Sequence, residues 1–283
     1  MTSLSHLPTL KATIDAHGLS TRKSLGQHFL LDANIIRRIV GHAGDLTGHT
    51  AIEIGPGPGG LTRALLESDA ARVVVVEKDE RCLPIMGELA RASDKLTIIV
   101  ADALTYDPLT TPAPRRIVAN LPYNVGTELL LAWLSDIARD PKSYASLTLM
   151  FQKEVAERIA AEPGGKEYGR LSVLAQWLCE VRYDMELPPG AFSPPPKVSS
   201  AVITLIPRER PLFPAKKETL ERLLAKAFGQ RRKMLRNSLA AFLGKGATPA
   251  PDFPIDLNRR PETLSLQEFT ELAEYLAKAP LKN

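Results

Sequence analysis

From Thr50 to Phe151 the chain alternates short β-branched runs with stretches of helical spacing, and this alternation restricts its fold more than any other feature. Strands covered by helices on both faces read as nearly continuous apolar strings. Thr50–Ile54, Arg72–Glu77, Leu96–Val100, Arg116–Ala119 and Ser146–Phe151 are strings of this kind. Between them, Leu61–Glu67, Glu80–Ala92 and Thr127–Ile137 have the spacing and length of crossover helices. A mostly parallel α/β sheet is expected. Downstream, a helix over Leu171–Cys179 is expected to lead into Val181–Glu186, and Ser199–Ile206 to close the sheet as an antiparallel hairpin.

Pro207, Pro211 and Pro214 then interrupt ladders and helices alike. The domain boundary is expected there, with a body at 1–206, whose residues 1–46 form a helical cap, and a small all-helical domain at 207–283. In that domain helices are expected over Glu218–Ala227, Arg231–Leu243 and Ser265–Ala277, the last opened by a capping box from Ser265 to Glu268. The chain has 283 residues, 44% of them hydrophobic and 24% charged, which suits two globular cores and excludes a disordered chain. Its net charge of +4 is unevenly spread, because residues 207–283 hold 15 Lys and Arg against 9 Asp and Glu. A basic tail on a slightly acidic body is the footprint of a surface that meets phosphates, with a solvated basic face as the plain alternative. No apolar run reaches the roughly 18 residues of a membrane span, and Met1–Ile14 lacks a signal-like block. A cytoplasmic protein is expected. Cys82 and Cys179 stand apart from each other and from any Cys or His cluster, so neither a disulfide framework nor a metal site is expected.

The first strand runs into Gly55-Pro56-Gly57-Pro58-Gly59-Gly60 and then a helix, the context of a nucleotide-binding loop. Gly55 and Gly57 let the backbone turn and approach a ligand. Glu77 ends the next strand, where a carboxylate can accept from both hydroxyls of a ribose. A dinucleotide is the obvious competitor, but Pro56 and Pro58 remove N–H groups that a pyrophosphate needs. S-adenosylmethionine has no phosphate and loses nothing there. Glu53 adds an acceptor suited to its ammonium and sulfonium. Asp102, just after the third strand, either accepts from the adenine amino group or caps a turn.

Asn120-Leu121-Pro122-Tyr123 follows the fourth strand and resembles the motif of methyltransferases acting on exocyclic amino groups. The N6 lone pair of adenine is delocalised into the ring, so an enzyme gains by drawing that nitrogen toward tetrahedral geometry. The Asn120 side-chain oxygen and the Leu121 carbonyl are acceptors able to do this. Pro122 stiffens the turn and Tyr123 offers a stacking face. Phe192, on the proline-stiffened loop Phe192–Val198, is read as a second stacking face across the base, with a core plug as its other reading. Arg22 and Lys23 make the stretch before Gly26 basic, and Lys197 does the same near the target pocket.

Taken together, Gly26-Gln27-His28-Phe29-Leu30, Glu53–Gly60, Asn120–Tyr123, Phe192–Val198 and Gln230-Arg231-Arg232-Lys233 with Leu235-Arg236-Asn237 resemble the bacterial small-subunit ribosomal RNA adenine N6,N6-dimethyltransferases, the kasugamycin-resistance family. The resemblance spans Ser24 to Leu243. It implies a class I methyltransferase fold, a Rossmann-like sheet with a small helical C-terminal domain. It also implies S-adenosylmethionine as cofactor, and four methyl transfers to two neighbouring adenines near the 3′ end of small-subunit RNA. His28 and Leu30 fall where the family touches the methionine part of the cofactor, Gly55 and Gly57 in its loop, Glu77 at the ribose, Asp102 at the adenine, and Asn120 where cofactor and target amino group meet. At His28 many relatives have asparagine, which leaves a side-chain or a main-chain contact open there. Arg231, Arg232, Lys233 and Arg236 are expected to grip RNA with Arg22, Lys23 and Lys197. The partner implied is small-subunit ribosomal RNA, within an assembling particle, met by a monomer. The rivals are a resistance methyltransferase acting on large-subunit RNA, and an assembly factor that kept the fold without the chemistry.

Overall fold

The computed structural model describes residues 4, 6–20, 28–240 and 253–278. The chain divides into two compact units, one of residues 1–156 with 182–207, the other of residues 157–181 with 208–283. The change of unit after residue 207 coincides with the proline-marked boundary. Residues 157–181, expected within the body, group instead with the helical tail.

The first unit is built on a twisted sheet. In chain order its strands are β1 (Phe29–Leu30), β2 (Thr50–Ile54), β3 (Arg72–Glu77), β4 (Leu96–Val100), β5 (Arg115–Asn120), β6 (Ser146–Gln152), β7 (Cys179–Leu187), β8 (Phe192–Ser193) and β9 (Ser200–Pro207). Seven of them form one sheet in the order β4-β3-β2-β5-β6-β9-β7, while β1 and β8 pair separately. The pairs β3–β4, β2–β3, β2–β5 and β5–β6 are parallel, and β9 runs antiparallel to β6. β2 and β5 are neighbours although β3 and β4 lie between them in sequence. The direction in which successive strands are added across the sheet therefore reverses there, and ligands bind beyond the carboxyl ends of strands at such a switch.

The apolar strings behave as the two-sided covering requires. Every residue of β2 is buried, as are Val73–Val76 of β3. Helix Gly60–Glu67 presents Leu61, Leu65 and Leu66, and Leu83–Ala92 presents Ile85, Met86 and Leu89, to the core that also holds Val73 and Val75. Gly126–Arg139 buries Leu130, Trp133, Leu134 and Ile137. Each such leucine contributes about 1.5–3 kcal/mol by leaving water, and this burial holds the strand ends rigid where the site is built. Ahead of the sheet, Asp32 caps helix Ala33–His42, its Oδ1 accepting from the Asn34 and Ile35 amides.

In the second unit, Arg170–Leu178, Lys217–Gly229 and Leu266–Lys278 are helical, with Tyr168, Phe228 and Phe269 in ring contact. The capping box forms, with Glu268 N–H donating to Ser265 Oγ and Ser265 N–H to Glu268 Oε2. The helix expected over Arg231–Leu243 does not. Residues 231–234 make a turn, with Lys233 N–H bonded to the Gln230 carbonyl, and helix resumes only over Leu235–Ser238. The amides of Leu235 and Arg236 donate to the carbonyls of Arg259 and Leu257 rather than to the preceding turn. A competing segment thus takes the bonds that a continuous helix needs. The end of that expected helix, with Phe242, lies outside the described residues.

Candidate active site

A cleft opens at the carboxyl ends of β2, β3, β4 and β5. Its walls carry the glycine loop, Glu77 and Lys78, Ala101–Ala103, and Asn120–Val125, with His28–Leu30 completing the rim.

The loop's shape follows from glycine. Gly55, Gly57 and Gly59 have φ of 67°, 54° and 84°, and a Cβ on Gly59 would stand 2.8 Å from side-chain carbons of Leu89 and Met86. Its amides are already engaged. Gly55 N–H donates to the Val76 carbonyl, Gly57 N–H to Glu77 Oε2, and Gly59 N–H to the Pro56 carbonyl. With Pro56 and Pro58 lacking N–H groups, residues 55–59 have no donor left for a pyrophosphate. A ligand without phosphates fits this loop.

Glu77 is buried, and Oε1 accepts from the Lys78 and Asp79 amides at 2.9 and 2.8 Å while Oε2 accepts from Gly57 at 3.1 Å. Burial raises its carboxyl above the ordinary value, against the three amides that favour the charged form. A carboxylate has about four acceptor positions, so one remains, on Oε2. Asp102 caps a turn, one of the two roles expected of it. Its Oδ1 caps the turn through the Leu104 amide, and it stays on the cleft wall, where Lys78 Nζ donates to Oδ2 at 3.1 Å. Those two bonds hold its carboxyl below the usual range. Nothing in the sequence pattern marked Lys78.

Glu53 departs from its expected role. It is 2% exposed, accepts from Thr62 Oγ1 at 2.6 Å, and burial pushes its carboxyl up to about 8. At neutral pH it is mostly uncharged and offers a sulfonium little. Between the ordinary carboxylate value and about pH 8 the folded chain keeps a proton that the unfolded chain releases, so stability falls as pH rises. Glu53→Gln keeps an acceptor for Thr62 and removes the proton. The variant is expected to lose that decline, about 1.4 kcal/mol per pH unit at most, in denaturant unfolding between pH 6 and 9. Matching pH profiles would exclude Glu53 as its source.

Asn120 ends β5 with its backbone paired to Met150 of β6. Among the described residues neither its side-chain amide nor the Leu121 carbonyl has a hydrogen-bond partner. Both belong to the cleft wall. The Pro122 carbonyl accepts from the Val125 and Gly126 amides, closing the turn, and Tyr123 Oη lies 2.7 Å from Ser200 Oγ, which fixes the ring. Phe192, expected opposite Tyr123, is not there. It is 4% exposed within the core, because Leu30 pairs with it across β1 and β8, and it is absent from the cleft lining. The ring that meets Tyr123 is His28. β1 also lies over the loop, with Phe29 3.4 Å from where a Gly57 Cβ would be and the Leu30 carbonyl 3.1 Å from a Gly60 Cβ.

Of the expected RNA-contacting residues, Lys197, Arg232, Lys233 and Arg236 are exposed. Arg231 donates to the Gly165 carbonyl and Arg236 to Asn258 Oδ1. Arg22 and Lys23 lie outside the described residues. Among the described residues no helix is long and apolar enough to cross a membrane.

The family model for ribosomal RNA adenine dimethylases matches residues 18–278. The chain belongs to that family. A ribosomal RNA small subunit methyltransferase A from Ruegeria pomeroyi is 54% identical to this dimethylase, the match covering 98% of this chain and 100% of the relative. One from Ruegeria sp. (strain TM1040) is 51% identical, at 98% and 100%. Among solved structures, the dimethylase resembles a dimethyladenosine transferase from Plasmodium falciparum with a TM-score of 0.73 at 24% identity, covering 89% of this chain and 98% of that one. The 23S rRNA methyltransferase ErmE gives a TM-score of 0.66 at 25% identity, covering 88% and 100%. The mixed α/β fold with its mostly parallel sheet is that of these methyltransferases.

Proposed function

We propose that this dimethylase methylates the N6 amino groups of two adjacent adenines in a hairpin near the 3′ end of small-subunit ribosomal RNA, acting in the cytoplasm, as a monomer, on an assembling small subunit. The observation that carries the reading is a pair of acceptors with no partner among the described residues, Asn120 and the Leu121 carbonyl, in the same cleft as the glycine loop, Glu77 and Asp102. S-adenosylmethionine, when bound, supplies an electrophilic methyl group on its sulfonium. The chain's own residues do the rest. Gly55 and Gly57 shape the floor, Glu77 holds a ribose hydroxyl, Asp102 accepts from the adenine amino group, and the main chain at His28 and Leu30 meets the methionine part. Asn120 and Leu121 accept from the target amino group, pulling its nitrogen out of conjugation, and Tyr123 supports the base. Positioning and preorganised acceptors carry the rate, and the methylated nitrogen, now cationic and acidic, loses its proton to water, so no dedicated general base is needed. Mass spectrometry of ribosomal RNA from cells with and without the gene tests the reading. Dimethyladenines missing from the small-subunit RNA of the deletion support it, and losses confined to large-subunit RNA would point to the resistance-type activity instead.

For RNA, we propose Arg232, Lys233 and Arg236 as backbone contacts, together with Arg231, Arg22, Lys23 and Lys197. Changing Arg232, Lys233 and Arg236 together to glutamine is expected to weaken binding at low salt and flatten log affinity against log salt, by about 0.7–0.9 for each phosphate that is no longer neutralised. Affinity for S-adenosylmethionine is expected to stay as it is. An unchanged salt slope would make these residues a solvated face.

A further inference from the structure

Tyr123 is tied to a residue that lies outside the cleft. Its Oη is 2.7 Å from Ser200 Oγ, the one hydrogen bond the phenol makes among the described residues. Ser200 is fully buried and absent from the cleft lining. The sheet sets its position: Ser200 opens β9 and pairs with Gln152 of β6, and the Ser199 carbonyl before it accepts from the Lys153 amide. β6 also holds β5, where Met150 pairs with Asn120. The ring and the acceptor at the reacting centre therefore take their places from the same strand. The main chain of the turn is held separately. Leu121 is buried, the Pro122 carbonyl accepts from the Val125 and Gly126 amides, and a Cβ on Gly126 would stand 3.1 Å from Phe151 and 3.3 Å from Leu121. What the turn leaves free is rotation of the Tyr123 ring about its side-chain bonds. Beyond ring contact with His28, the Ser200 hydroxyl is what restrains it.

We propose that Ser200 is a positioning residue for the second methyl transfer, keeping Tyr123 aimed at a base that has lost one of its hydrogen bonds. The proposal rests on the reading of the cleft as an adenine dimethylation site. In each transfer the bond from sulfur to the methyl carbon breaks and a bond from N6 to that carbon forms. The sulfur keeps the electron pair and leaves as a neutral thioether, and the nitrogen gives its extra proton to water. An unmodified amino group has two N–H donors, one for Asn120 and one for the Leu121 carbonyl. After the first transfer a single N–H remains, so one of the two acceptors goes without. The productive pose then depends more on stacking, which shifts its population by about fivefold to 150-fold. A pose already filled by two hydrogen bonds and a ring conceals a loosened ring, whereas a pose held by one hydrogen bond does not. The tether from Ser200 therefore matters most in the second step.

Time courses on unmethylated small ribosomal subunits at saturating S-adenosylmethionine, with mono- and dimethyladenine separated by mass spectrometry, test this. Ser200→Ala is expected to slow the second transfer about threefold to tenfold relative to the first, the reach of one neutral hydrogen bond, so that monomethyladenine accumulates. Its S-adenosylmethionine affinity by calorimetry is expected to match wild type, which also reports an intact fold. Tyr123→Phe keeps the ring and removes its hydroxyl, and is expected to shift the product ratio as far as Ser200→Ala does. The double variant is expected to shift it no further, because both changes cut the same bond. If Ser200 merely fills the core, the two effects add or Tyr123→Phe leaves the ratio as in wild type, and the proposal falls. It falls equally if monomethyladenine is as transient in Ser200→Ala as in wild type, or if that variant binds the cofactor more weakly. These outcomes leave the proposed function standing, since wild type still makes dimethyladenine. A wild-type protein that makes none refutes that function, and this inference with it.

Discussion

Replacing Asn120 by alanine is expected to lower the methyl-transfer rate by at least about a hundredfold, the effect of losing one preorganised polar partner at a reacting centre, while leaving S-adenosylmethionine affinity almost unchanged. The geometry explains why one side chain carries so much. Asn120 is the last residue of β5, locked between β2 and β6, so its amide is aimed by the sheet before any substrate arrives. No described residue competes for that amide. In the proposed role its bond to the target amino group is stronger when that nitrogen has become pyramidal than when it is flat, and an interaction made in the transition state raises the rate rather than the affinity. Single-turnover rates close to wild type would remove Asn120 from the reacting centre. A loss of cofactor affinity matching the loss of rate would reassign it to the cofactor.

Glu77→Ala is expected to weaken S-adenosylmethionine binding by about tenfold to a hundredfold, corresponding to the ~1.5–3 kcal/mol of a hydrogen bond to a charged group. The structure adds a second consequence. Glu77 also holds the amides of Gly57, Lys78 and Asp79, so alanine leaves donors of the glycine loop without their acceptor, each at about 1–3 kcal/mol where buried. The melting temperature is therefore expected to fall along with the affinity. Glu77→Gln separates the two effects. It retains an acceptor oxygen but turns an N–H toward one of the amides, so it too is expected to bind weakly while losing less stability. Calorimetry showing wild-type affinity in either folded variant would take Glu77 out of the ribose site.

What the sequence determined by itself is the set of features whose geometry is local. A strand ending in Gly-Pro-Gly-Pro-Gly-Gly can only turn sharply at the sheet's carboxyl edge, and the prolines announce which amides a ligand will not find. Glu77, Asp102 and Asn120 each stand at or just after the end of an apolar run, so a parallel sheet brings them to one rim whatever the rest of the chain does. The Ser265–Glu268 capping box is equally local, and it formed. The tertiary structure alone decided matters that depend on which distant segments meet. β1 and β8 have two residues each, too few to show any periodicity, yet their pairing sends Phe192 into the core and His28 to the cleft. The expected helix at Arg231–Leu243 has good local spacing and is broken because carbonyls at Leu257 and Arg259 capture its amides. Glu53 reads as a charge in the sequence and is mostly neutral in the fold, since ionisation depends on the water that the surrounding elements exclude. Long-range pairing and desolvation are properties of the assembled chain, and no local pattern encodes their balance.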